Sequence, residues 1–217
     1  MKKLIMLVLA ALVAMPAALT VSAAPVDKKT EKQMRKQCKQ KTKELKKAGW
    51  EILGSARTLE GALQTHYDAL IKEGEDAVEI FGTASRVKSK NAGVQMAQNN
   101  AAISYAQTQG SDIKGRLITD GFIDPDNPDA EMDKFYSAYE RTVQQEITKA
   151  LHPSYQLIRS NPDGTYEIEV YYIVSESAAS RARLRALENG MKESEAARKL
   201  GATISDYIKA GFDTEAK

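Results

Sequence analysis

Between Ser154 and Val174 apolar and polar positions alternate on both sides of a turn signal, and this predicts a β-hairpin. Tyr155, Leu157 and Ile158 precede Asn161-Pro162-Asp163-Gly164, and Tyr166, Ile168, Val170, Tyr172 and Val174 follow it with period two. Pro162 presets φ at the second turn position, and Gly164 supplies a positive φ at no steric cost. Tyr166, Ile168, Val170 and Tyr172 share one face of the second strand, while Glu167, Glu169 and Tyr171 share the other. One face is therefore expected in a core and the other in water. A hairpin alone is marginal in water, so helices must cover the apolar face.

The flanking patterns supply those helices. Residues 26–47 read as a helix with a thin stripe of Met34, Cys38 and Leu45, and Trp-Glu-Ile-Leu from Trp50 reads as a short strand or docked turn. Thr58 is placed to cap a helix to about Lys72, with Leu59, Leu63, His66, Tyr67 and Leu70 at 3–4 spacing. Ala77–Ser85 reads as a strand. Asn91 to Gln109 reads as an Ala-rich helix marked by Val94, Ala97, Ala101, Ile103 and Tyr105 and ended by Gly110, with Ile113–Thr119 extended beyond it. After a loop at 120–128, Pro128 at a first helical position starts a helix to about Leu151, with Phe135, Tyr136, Tyr139, Val143 and Ile147 as its stripe. Ser175 or Ser177 then starts a long helix or helix pair to about Phe212, with Gly190 and Gly201 as points of break.

These elements predict an α+β fold: a small antiparallel sheet of three or four strands, covered on one face by helices, with long N- and C-terminal helices. The chain divides into a leader at 1–23, a basic helical region at 24–75, a core domain at 76–175 and a helical extension at 176–217. The C-terminal stripe of Leu184, Leu187, Met191, Leu200, Ile204 and Ile208 is too long for the sheet alone. It is expected to pack either on the N-terminal helices of the same chain or on a second copy in a homodimer.

Charge changes the picture at the N-terminus. The 217 residues carry a formal net charge of +2, but Asp27–Lys47 holds ten Lys/Arg against three Asp/Glu. From Ala48 onward the chain is net acidic. Lys2-Lys3, an apolar run from Leu4 to Leu19 broken by Pro16, and Val21-Ser22-Ala23 have the form of a cleavable signal peptide, cut after Ala23. No Cys follows at lipobox spacing, so the mature chain is expected in the periplasm or secreted, without a lipid anchor or a transmembrane segment. The basic helix is expected either as a solvated, frayed element or as one touching anionic headgroups, lipopolysaccharide or peptidoglycan. Nucleic acid is not expected as a partner of an exported chain.

Candidate chemistry is sparse. Cys38 is the only cysteine, so no internal disulfide is available, and the thiol is either incidental or intermolecular. His66 is expected to be a hydrogen-bonded core residue. Glu167 and Glu169 share a strand face and are either a carboxylate pair or its solvent side. Asp120, Asp124, Asp126, Asp129 and Glu131 crowd around the 120–128 loop and are the candidate metal ligands, with Ca²⁺ the suited ion. Pro128 and Asp129 break the EF-hand pattern, and helix N-termini attract acids without any metal. No nucleotide, zinc-protease or serine-hydrolase motif is present, and no cofactor is expected.

The strand AVEIFGTAS, the helix NAGVQMAQNNAAISYAQ, the segment IKGRL, the helix FYSAYERTVQQEITKAL and the hairpin around DGTYEIEVYYIV occur in an order that resembles the LPP-twenty-type envelope lipoproteins and the N-terminal domain of flagellar assembly protein T. Lys88–Asn91 and Ala97–Ala101 also resemble stretches in secreted envelope proteins of Gram-negative gut bacteria. The resemblance covers roughly residues 76–175, and the missing lipobox departs from it. It implies an α+β fold and a non-enzymatic periplasmic or cell-envelope interaction protein, with no catalytic residue to carry over. A small-ligand or Ca²⁺-binding secreted module and an enzyme of unknown class are the alternatives.

Overall fold

The computed structural model describes residues 28–124 and 130–209. Seven helices and four strands follow in the order α1 (Lys28–Lys47), β1 (Glu51–Ile52), α2 (Leu59–Glu73), β2 (Ala77–Val87), α3 (Lys90–Thr119), α4 (Ala130–Thr148), β3 (Pro153–Ser160), β4 (Tyr166–Ser175), α5 (Glu176–Glu193), α6 (Glu195–Lys199) and α7 (Gly201–Lys209). The expected leader at 1–23 lies outside the described residues. Among those residues no helix is long and apolar enough to cross a membrane.

The strands form one antiparallel sheet in the order β1-β3-β4-β2, so the fold is α+β as the patterning predicts. The hairpin forms its centre: Leu157 pairs with Glu169 and Ile158 with Ile168. Asn161 closes the turn by accepting from the Gly164 amide at 3.1 Å, with Gly164 at φ 79°. The Asp163 carboxylate accepts the Thr165 amide at 3.0 Å, an Asx turn that fixes the register. β2 pairs along β4 from Ala77↔Ser175 to Ala84↔Ile168, then bulges before Val87↔Tyr166. Arg86 sits in the bulge at φ 54°. Its amide donates to Glu167 Oε1 at 3.2 Å, and Asn161 Nδ2 donates to the same oxygen at 2.9 Å.

Period two puts Val78, Ile80, Ala84, Ile168, Val170, Tyr172 and Val174 on one face, all buried in the main core. α3 lies directly on this face, because Ala97, Ala101 and Gly82 leave no side chain between helix and strand. A Cβ on Gly82 would stand 2.0 Å from the Ala97 carbonyl oxygen. α4 then packs on α3 and α5, and all five of its predicted stripe residues are buried.

Several expectations are corrected. Ile113–Thr119 is not extended: α3 runs unbroken to Thr119, with Ile113 and Leu117 fully buried one turn apart. Gly110 is no helix stop. It is a buried contact where a Cβ would meet the Glu140 side chain at 2.3 Å, so it lets α4 approach. Gly190 likewise lies inside α5 and faces the Phe135 ring, while the C-terminal run breaks at Ser194 and at Leu200–Gly201. The C-terminal stripe does not pack on the N-terminal helices: Ala186, Leu187, Ile204 and Ile208 close into the main core against α3 and α4.

A further correction concerns the second face of the sheet, expected in water. α1 and α2 roof part of it. Cys38, Leu59, Ala62 and Leu63 meet Tyr155, Leu157 and Tyr171 in a second apolar cluster, edged by Trp50, Ile52 and Phe81. Thr58 caps α2 by accepting the Gly61 amide at 3.1 Å. Thr58→Ala is expected to lower stability by about 1 kcal/mol, measured as a shift in the urea midpoint without a change in slope.

Candidate functional site

The polar groups with the richest geometry lie under this roof. Register sets Tyr155 opposite Tyr171 and Tyr171 opposite Phe81, so their rings stack across three strands, at 4.4 Å and 5.4 Å between centroids. Lys41 of α1 reaches over the Tyr171 ring, 4.6 Å from its centroid. Tyr171 donates to Glu169 Oε2 at 2.9 Å.

His66 comes down from α2 beside this ladder, edge-on to Tyr155 at 5.0 Å. Its Nδ1 lies 2.9 Å from Ser154 Oγ on β3, and its Nε2 lies 2.7 Å from Glu79 Oε1 on β2. Nε2 donates to the carboxylate, while Nδ1 accepts the serine hydroxyl in the neutral ring and donates to its oxygen in the charged one. Burial would raise the Glu79 carboxyl, but the hydrogen bond and charge interaction with His66, helped by Lys41, hold it below its ordinary 4.5.

A hydroxyl, an imidazole and a carboxylate in line is the arrangement that activates a serine nucleophile. Here the ring is only 1% exposed. Neither of two described clefts is lined by any of the three residues: one of about 200 Å³ between α1 and α2, one of about 330 Å³ between α3 and α4. The same bonds tie α2 to both β3 and β2, so His66 braces the roof to the sheet. The sequence reading of His66 as a bonded core residue holds. It missed the partners, because nothing local in sequence links His66 to Ser154, 88 residues on.

The Glu79 shift gives the brace a pH dependence. A carboxylate whose folded pKa is lowered adds stability above its unfolded pKa, and this is lost as pH falls through the folded value. Glu79→Gln is expected to cost roughly 2 kcal/mol at pH 7. The gap to the native chain should close as pH falls below 4.5. Urea titrations at pH 7 and at acid pH measure it.

The other candidates are placed as follows. Cys38 is buried against α2 and lines the α1–α2 cleft, and burial pushes its thiol pKa up. Glu167 and Glu169 do not act as a pair: one holds the bulge, and the other accepts from Tyr171. Among the acidic candidates, Asp120 caps α3 and accepts the Tyr207 hydroxyl, and Asp124 is the last described residue before 125–129. Glu131 accepts from Lys134 Nζ at 2.6 Å and from the Glu195 amide at 3.4 Å. Asp126 and Asp129 lie outside the described residues. Among the described residues no three His, Cys, Asp or Glu side chains gather as a metal site.

Fold and cluster together define an α+β protein whose four-stranded sheet is packed by helices on one face and roofed by a basic helical hairpin on the other. No protein-family model matches the chain, and no curated protein matches it.

Proposed function

We propose that the protein is a non-catalytic component of the bacterial periplasm or cell envelope, acting by contact with other envelope molecules. The observation that carries this reading is the use made of His66. The histidine best placed for chemistry is sealed, with both ring nitrogens spent on bracing α2 to the sheet. Signal-peptide patterning at residues 1–23 and the resemblance over residues 76–175 support the envelope location. Fractionation of expressing cells, followed by cross-linking in the intact envelope, tests it. The expected result is an exported, processed chain trapped with envelope components. Turnover of ester or amide substrates by the purified protein, abolished by Ser154→Ala, would replace this reading with an enzymatic one.

A further inference from the structure

α1 has two faces of different chemistry. At 3.6 residues per turn, Lys28, Lys32, Lys36, Lys39, Lys43 and Lys47 fall within an arc of roughly 100°. Their spacing is i+4, i+4, i+3, i+4, i+4. All six are exposed, and none has an ion-pair partner among the described residues. Cys38, Thr42 and Leu45 lie outside this arc and turn toward the body of the protein, with Cys38 and Leu45 in the apolar cluster under the roof. The ridge is therefore held in place by the fold. It extends for roughly 30 Å along the helix axis.

The two acids of α1 lie outside the arc and are already engaged: Glu31 with Arg35 at 3.0 Å, Glu44 with Gln40 at 2.9 Å. Arg35, the one guanidinium of the helix, is tied to Glu31 and to Asp68 of α2. What faces outward is thus a plane of ammonium groups. Ammonium is a compact point charge that attracts phosphate without bidentate geometry. No aromatic side chain stands in the arc to stack on a base, as single-stranded nucleic acid would ask. No apolar side chain stands there either, so the helix would rest on a charged surface without inserting into it.

We propose that α1 docks the protein side-on onto the phosphate plane of an anionic phospholipid bilayer through this lysine ridge. The proposal rests on the envelope reading above and names the partner for one face. Each lysine near such a surface adds attraction, and the sum is screened by salt. Docking is therefore reversible and graded by the anionic lipid content.

Sedimentation with vesicles tests it, using protein recovered from cells expressing the full chain. One set of vesicles is phosphatidylcholine alone, and the other contains phosphatidylglycerol. The native chain is expected to sediment with the second set and not the first, and to be released as salt rises above physiological strength. A variant with Lys32, Lys36, Lys39 and Lys43 each changed to Gln keeps the buried side of α1 intact. It should unfold at the native midpoint yet bind the anionic vesicles on the order of a thousandfold more weakly. Equal binding to both vesicle sets, undiminished binding by the variant, or tighter binding to duplex DNA than to the anionic vesicles at the same salt would each overturn the proposal. The two readings fail separately. Envelope partners cross-linked in cells without vesicle binding would sink only the lipid surface. A chain that stays in the cytoplasm would sink the envelope reading, whatever the vesicles show.

Discussion

Gly82→Ala is expected to destabilise the fold by ~3 kcal/mol or more, an unusual loss for one added methyl group. The reason is what the new carbon would touch. At Gly82 a Cβ meets the Ala97 carbonyl oxygen at 2.0 Å and the Ala101 amide nitrogen at 2.6 Å. Both are backbone atoms of α3, so no rotamer change makes room, and the whole helix must lift from β2. Lifting it uncovers Val78, Ile80 and Val170 together. Urea unfolding should show a lower midpoint at unchanged slope. Gly115→Ala, in the same helix but facing open space, is expected to move stability the other way by about 0.5–1 kcal/mol. A Gly82→Ala variant as stable as the native chain would show that α3 does not cross the sheet at this distance.

The second large effect is expected at Arg183, a guanidinium 1% exposed among the packed helices. Nη1 donates to the Tyr105 hydroxyl at 2.9 Å, and Nη2 pairs with Glu176. Arg183→Ala removes the stem, leaves a cavity and strips Tyr105 of its guanidinium partner, for about 3–5 kcal/mol. Arg183→Met refills most of the volume and leaves mainly the unpaired hydroxyl, for about 1–3 kcal/mol. Adding Tyr105→Phe to Arg183→Met removes both halves of the bond and should recover part of that loss. Glu176 is exposed enough to rehydrate, with a third of its side chain open. The expected order of stability is native, double variant, Arg183→Met, Arg183→Ala. If the alanine variant proved no weaker than the methionine one, the cavity argument would be wrong.

Elements whose signals are local were legible in the sequence. The hairpin is one, because Asn161–Gly164 and the flanking alternation act within a dozen residues. α4 is another, since all five stripe residues share one side of one helix. Inside helices, two glycines misled the reading. Gly110 and Gly190 look like helix ends from composition, yet both are helix-interior contacts, against Glu140 and Phe135. A glycine that permits close approach and one that ends a helix have the same letter, and only the facing element tells them apart. The roof was missed for a related reason. Tyr155, Leu157, Tyr171 and Phe81 sit on a strand face that also carries Glu79, Glu167 and Glu169. The acids suggested water, and nothing local showed that α1 and α2 fold back over the aromatic half. The candidate site inherits this limit. His66 was flagged by its place on an apolar helix face, but its two partners come from strands that meet it only once the roof is closed.

The strand pairing has a consequence for when this chain can fold. β1 and β2 come from the N-terminal part, and both close on the hairpin strands: Glu51 pairs with Ile158, and Ala77 with Ser175. Each closure joins residues roughly a hundred positions apart, so its loop entropy must be met before the contact returns anything. During synthesis, α1, α2 and β2 leave the ribosome with no sheet to join. They wait until Ser175 has been made, and their apolar faces stay open for that time. The hairpin, whose strands are neighbours in sequence, has the shortest loop to close and is the natural nucleus. A chain stopped before β4 therefore lacks the strand on which both β2 and β3 pair, whereas one that is complete gathers its older half around its youngest strands.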